Sequence, residues 1–503
     1  MRFPRSFGTL AHPTSFPSRF GMGDFGPEAF RFIHFLQETG QTIWQVLPLG
    51  TSSAGNSPYT SYSAFAGNYY LISPEVLVDK KLITPEEANQ AELPVTTVAD
   101  FKNSYAHKDI LYRKAFERFR FSATTEQKDQ LSLFEKNNAF WLDNFCLFMA
   151  CLKTEGGKPW NQWDNRRLVR RVDEAIKEFS AENSEEIRFQ TWMQFEFYNQ
   201  WKYLKNYANK RNIRIVGDIP IFVDHNSADV WGNPSYFEVD EYGNRQFVSG
   251  VPPDYFSETG QLWGSPLYKW NIMKKSGYSW WIERFRQMFK LYDAVRVDHF
   301  RGFDEYWSVP ATETTAEKGE WKPGPGEKFF RTIKKELGEI PVIAEDLGVI
   351  TPGVERLRDQ FNFPGMKVLQ FAFNSDPANG FLPHNFSRNC VVYTGTHDND
   401  TTIGWYRSAP EVEKHRMREY TRSDGTDVQW ELIRLGMLSS ADQAIFPLQD
   451  FMNLDSDHRM NTPGTAENNW QWRYTPEMLQ YVDALRIKNI AEMANRGFRP
   501  PES

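Results

Sequence analysis

Cysteine is scarce in this chain: 3 among 503 residues. Cys146, Cys151 and Cys390 cannot make a disulfide framework. Cys146 and Cys151 lie in an apolar, helical pattern, where buried free thiols are expected. This points to the cytosol or a similarly reducing compartment. Long apolar runs are also missing. The longest, Phe145 to Leu152, falls far short of the roughly 18 residues that a spanning helix needs. The first residues, Met1-Arg2-Phe3-Pro4-Arg5-Ser6-Phe7, hold no apolar signal core. Charge of one sign is not in excess either. A net charge of −7 gives no electrostatic footprint for nucleic acid or anionic lipid. No repeat, low-complexity tract or flexible linker interrupts the chain, and no glycine-rich phosphate loop follows a first strand.

What is abundant is aromatic. Phe, Trp and Tyr make 16% of the residues. Aromatic rings fill cores, but they also stack on sugar rings and nucleobases. The charge disfavours nucleobases, which leaves carbohydrate as the suspected partner.

Short apolar runs alternate with helical patterns. The runs are Ile43–Leu49, Ile213–Val223, Tyr292–Asp298, Pro341–Glu345, Met366–Phe371, Val391–Thr394 and Ala444–Phe446. Helical patterns include Pro27–Thr39, with Pro at its start and Gly40 at its end, Gly326–Leu337 and Pro410–Arg422. This alternation predicts a parallel sheet of buried strands. Polar residues gather where the runs end: Asp218, Asp298, Glu345, His397 and Asp398. A (β/α)8 TIM barrel brings such residues to one rim. The expected organisation is a single barrel domain over 1–503, with a mostly helical insertion at about 75–200. A substrate-covering loop region is expected at about 225–275.

In Arg296-Val297-Asp298-His299-Phe300-Arg301-Gly302, an acid at a strand end sits among basic residues. This suits either a salt-bridged rim or a nucleophile that Arg296 keeps ionised. Glu345, in Ala344-Glu345-Asp346-Leu347-Gly348, is a loop acid or a general acid/base raised by burial and a neighbouring carboxylate. Asp218 is either a substrate acid or, preferably, a buried partner of Arg296. Tyr393-Thr394-Gly395-Thr396-His397-Asp398-Asn399-Asp400 suits sugar hydroxyls better than a metal, since its spacing matches no standard ligand pattern. The segment Gly250 to Gly264, with two prolines and several aromatics, reads as a long ordered loop with no regular element. Two acids suffice for glycoside cleavage: one attacks the anomeric carbon, and the other protonates the leaving oxygen.

The ordered motifs Gly-Asp-Ile-Pro-Ile-Phe-Val (217–223), Arg-Val-Asp-His-Phe-Arg-Gly (296–302), Ala-Glu-Asp-Leu-Gly (344–348) and Thr-Gly-Thr-His-Asp-Asn-Asp (394–400) resemble those of the α-amylase clan. The finer form resembles the amylomaltases, or disproportionating enzymes (4-α-glucanotransferases). Trp44-Gln45-Val46-Leu47-Pro48-Leu49-Gly50, Asn56-Ser57-Pro58-Tyr59, the Gly250–Gly264 segment and Arg459-Met460-Asn461-Thr462-Pro463-Gly464 carry that narrower match, which spans about Phe7 to Arg499. One departure is Glu467-Asn468-Asn469-Trp470, where the family usually has Gly before Asn-Trp.

The resemblance implies a retaining glucan transfer without metal or organic cofactor. It implies Asp298 as nucleophile, Glu345 as acid/base and Asp398 as transition-state stabiliser, with His397 and Arg296 beside them. It places Ser57, Tyr59, Asp254, Trp263 and Asn461 along the substrate subsites, and leaves Asp218 and His299 in support. The implied partners are α-1,4-glucans and glucose. Tyr59, Tyr255, Phe256 and Trp263 are the rings expected against glucose units. A hydrolase of the same clan and a non-catalytic glycan-binding protein are the competing readings. The implied compartment is the cytoplasm, or a plastid stroma if a transit peptide has been removed.

Overall fold

Parallel strands with both faces buried must be covered all round, and eight of them close on themselves here. The computed structural model describes residues 3–53, 55–253, 257–465 and 467–497. The strands are β1 (Ser6–Leu10), β2 (Ile43–Gln45), β3 (Arg214–Pro220), β4 (Ala294–Asp298), β5 (Val342–Ala344), β6 (Gly365–Val368), β7 (Cys390–Tyr393) and β8 (Gln443–Pro447). Each pairs in parallel with its neighbour in sequence from β1 to β5 and from β6 to β8, and β8 pairs with β1. At the remaining seam, Ala344 N donates to Pro364 O at 2.9 Å and Met366 N to Asp346 Oδ1 at 2.7 Å. The architecture is a (β/α)8 barrel.

Seven of these strands lie within the apolar runs or overlap them, usually trimmed at the ends. Ile43–Leu49, for example, is strand only to Gln45, and Leu369–Phe371 closes into a 3-10 turn after β6. The eighth strand, β1, is the one the runs do not reveal. Ser-Phe-Gly-Thr-Leu holds strand-favouring Phe and Thr but a central Gly that breaks the apolar pattern, and its place between β8 and β2 decides its conformation. Gly8 is required there, because a Cβ would lie 2.0 Å from Ile43 O on β2.

Between β2 and β3 the chain forms helices, the longest being Phe101–Ser122, Thr125–Thr154 and Ser184–Asn209. Thr124 starts the second with a reciprocal capping box to Gln127. The third helix returns to the barrel, where its buried Trp201 donates to Leu291 O at 2.9 Å and packs on Trp44.

A second sheet stands over the rim. Its strands, in order Gln261–Pro266, Phe247–Val251, Glu305–Pro310 and Glu320–Pro323, are antiparallel. This corrects the expectation of an irregular Gly250–Gly264 loop, for both ends of that segment are strand. The glycines serve the pairing: a Cβ on Gly250 would lie 2.4 Å from Gln261 O, and Gly260 turns the chain at φ +69°. Asp254, Tyr255 and Phe256 lie outside the described residues.

Most of the aromatic excess is core. Trp44, Trp160, Trp163, Trp192, Trp201, Trp231 and Trp281 are fully buried.

Candidate active site

Residues two apart on a strand share a face, so Arg296 and Asp298 both point inward at the C-terminal end of β4. Arg296 is also the register partner of Asp218 on β3. Its guanidinium forks between them: Nη1 lies 2.6 Å from Asp218 Oδ2, and Nη2 lies 2.7 Å from Asp298 Oδ1. Asp218 is buried and also accepts from Tyr59 Oη at 2.9 Å. Burial pushes its carboxyl up to about 6, against the pull of Arg296. Asp298 is more open, with a third of its side chain exposed.

Glu345 follows β5 directly. Its Oε2 accepts from His299 N at 2.7 Å and its Oε1 from Leu347 N at 2.9 Å. The first bond depends on an unusual backbone: His299 is left-handed, at φ 53°, a region that non-glycine residues seldom adopt. That turn aims its N–H at the acid. Burial pushes Glu345 up to about 7. Asp298 adds to this, while Arg296 and the two amides oppose it.

Asp398 lies past the end of β7, in a segment folded by its own side chains. Asn399 Oδ1 accepts from Thr396 N and Thr396 Oγ1, both at 2.9 Å. Asp450 anchors both sides, accepting from Thr394 and Thr402. Asp398 Oδ2 is 3.3 Å from His397 Nε2, and Oδ1 accepts from Asn461 Nδ2 at 2.7 Å. Burial alone would raise this carboxyl, but His397, Asn461 and Arg296 outweigh it and hold it well below the usual carboxylate range.

The remaining candidates divide. Tyr59 stacks on His397 with ring centroids 5.1 Å apart, and Trp470 closes against both. Trp263, 41% exposed on the second sheet, meets His299 edge-on at 4.8 Å. Ser57 uses its hydroxyl within the turn, accepting from Tyr59 N at 3.3 Å. Asn461 is on Asp398, and Asp254 lies outside the described residues.

The structure brings two further residues to the site, both from segments named above but without a role. Arg459 ties Asp398 O and Asn461 O together, both at 2.9 Å. Trp470 approaches the site through a turn in which Asn468 takes φ 61°. Asparagine tolerates that region, and Asn469 secures the turn by accepting from Thr462 N at 2.8 Å. Arg459 lies in a motif already singled out, but nothing in the spacing says which carbonyl it reaches.

Among the described residues, no group of three or more His, Cys, Asp or Glu side chains could hold a metal ion. Three carboxylates share the rim in three settings: one forked by a guanidinium, one raised to near neutrality, one held ionised. Such a set can supply a nucleophile, a proton carrier and a fixed negative charge facing a positive centre.

Residues 11–480 match the 4-alpha-glucanotransferase family, glycoside hydrolase family 77. The 4-alpha-glucanotransferase of Synechocystis is 48% identical, over 98% of both chains. That of Thermus thermophilus is 46% identical, over 99% of this chain and all of its own. An amylomaltase from Streptococcus agalactiae, solved in complex with acarbose, superposes with a TM-score of 0.95 at 37% identity. That match covers 98% of this chain and 100% of the other.

Proposed function

This chain belongs to the 4-alpha-glucanotransferase family, and we propose how its rim residues divide the work of moving an α-1,4-glucan segment from donor to acceptor. The donor lies along the C-terminal rim, beneath the second sheet. An Asp298 oxygen attacks C1 of the donor glucose while the C1–O4 bond breaks. Glu345 gives its proton to the departing O4, and the shortened glucan leaves. The intermediate is a glycosyl ester on Asp298. The acceptor, a glucan or free glucose, enters with its 4-hydroxyl at C1. Glu345, now ionised, takes the hydroxyl proton, the new C1–O4 bond forms, and Asp298 is released. Two inversions leave the configuration unchanged.

The other groups follow from charge. Asp398, ionised, faces the positive charge that develops on the sugar ring, and His397 grips ring hydroxyls beside it. Arg296 steadies Asp298 as it alternates between carboxylate and ester, and Asp218 shares the guanidinium. Tyr59 and Trp263 offer flat faces to glucose units, and Asp254 is assigned to substrate contacts. Ser57 and Asn461, assigned to substrate contacts, also hold Tyr59 and Asp398 in place. The compartment we assign is a reducing one, cytoplasm or plastid stroma, in keeping with three buried free thiols. The barrel is read as one catalytic domain, with the helices after β2 inserted into it.

The observation that carries this reading is Glu345, a carboxyl near neutrality held by two amides beside an arginine-forked aspartate. The test is incubation with maltotriose and chromatography of the products. Glucose plus a ladder of longer maltooligosaccharides is expected. Glucose and maltose alone would mean hydrolysis. Asp298→Asn should fold and lose essentially all activity; an active variant would refute its role.

A further inference from the structure

Glu345 is held by more than two hydrogen bonds; it is one point on a closed ring of contacts. From its Oε2 the ring passes to His299 N, and two residues on to Arg301. The buried Arg301 donates through Nη1 to Val349 O. Val349 lies two residues past Leu347, whose N–H returns to Glu345 Oε1 at 2.9 Å. A cross-strut, Phe300 N to Glu345 O at 3.1 Å, braces the ring. Both carboxylate oxygens are therefore positioned by amides on segments that the Arg301–Val349 contact ties together. Val349 is 69% exposed, with Gly348 beside it at φ +86°, so that stretch needs an outside tie.

The second sheet touches the ring from above. The Arg301 guanidinium lies over the Trp321 ring, 3.8 Å from its centroid, and Trp321 packs on Trp307 at 5.2 Å. Trp263, on the far edge of the same sheet, meets His299. A cation on an indole face is held in place as well as stabilised.

We propose that Arg301 is a positioning residue for Glu345, acting through the His299–Arg301–Val349–Leu347 ring, with Trp321 as the keeper that fixes its guanidinium. This rests on Glu345 as acid/base. Misplacing a catalytic group by about 1 Å can cost about 100-fold, and the loss falls only on steps that need the proton.

The test compares two reactions on Glu345→Ala, Arg301→Met, Arg301→Lys and Trp321→Ala. One is transfer from maltotriose, which needs acid and base. The other is fluoride release from α-maltotriosyl fluoride with azide as acceptor, which needs neither. Glu345→Ala should lose about 100- to 10,000-fold on maltotriose and keep fluoride release. Arg301→Met should lose about 10- to 100-fold on maltotriose with fluoride release retained. Its alkaline pH limit should also move. Arg301→Lys, which can still reach Val349 O, should recover part of the loss. Equal losses in both reactions for Arg301→Met, or none on maltotriose, would overturn the proposal. Trp321 is on the surface of the second sheet, so Trp321→Ala keeps the question open to decision if Arg301→Met does not fold. It should lose maltotriose transfer selectively, and an unselective or absent effect counts against the proposal. If Glu345→Ala loses both reactions equally, the acid/base assignment itself fails.

Discussion

Arg296 and Asp218 face each other across β4 and β3 with 2.6 Å between guanidinium and carboxylate, both buried. Asp298 takes the other arm of the same guanidinium. A buried cation shared by two acids cannot be removed cheaply, because both carboxylates are left without their counter-charge. Arg296→Met should therefore destabilise the fold by about 3–5 kcal/mol, read as a lowered urea midpoint with unchanged slope. Asp218→Asn should cost less, since the burial that raises Asp218 also makes its ionised form expensive.

Glu345 predicts a pH limit. Its carboxyl sits near 7, so the first step should fail on the alkaline side as the proton is lost. kcat/KM for maltotriose should fall with a midpoint near pH 7, and the fall should vanish for a fluoride donor. Stability moves in the same direction. The folded carboxyl is raised above its ordinary 4.5, so protonation favours the folded state, and that contribution is lost as pH rises from about 4.5 to about 7. Glu345→Gln, uncharged throughout, should gain stability relative to the parent across that window. A flat difference between pH 4 and pH 8 in urea unfolding would contradict the assignment.

Asn461 predicts the opposite sign. Asp398 is depressed, so its partners stabilise the fold above the ordinary carboxylate range, and this is lost as the acid is protonated. Asn461→Ala removes one donor from this half-exposed group. The expected cost is about 1 kcal/mol at pH 7, small because solvent screens the pair. The difference should shrink on acidification. kcat should fall more than KM rises, if Asp398 faces charge that exists only in the transition state.

Gly8 predicts a purely structural effect. A Cβ at this position would meet the Ile43 carbonyl, which is backbone and cannot rotate away. Gly8→Ala should destabilise by about 3 kcal/mol or more, with thermal unfolding as the measurement. Gly40→Ala is the informative contrast, since that Cβ meets nothing and only the φ of +75° resists it.

The barrel was legible because its strands are buried on both faces, which compresses them into short apolar runs ending in polar residues. Asp218, Asp298, Glu345 and Asp398 could be named from those ends alone. Strand β1 escaped because it is short and Gly8 interrupts the apolar run that Phe7 and Leu10 would otherwise make. The second sheet escaped because glycines and prolines mark an irregular loop and a strand pair alike, and only the neighbour at Gln261 O distinguishes them.

What the amino-acid order determined by itself is composition, burial pattern and the identity of the acids, since these depend on side-chain chemistry and periodicity along one segment. What only the tertiary structure decided is the state of each acid and what holds it. The left-handed turn at His299, the fork of Arg296, Asn461 on Asp398 and the Arg301–Val349 tie join residues from 2 to 78 positions apart. Protonation depends on burial and on charges within a few ångströms, and those distances exist only once the barrel has closed.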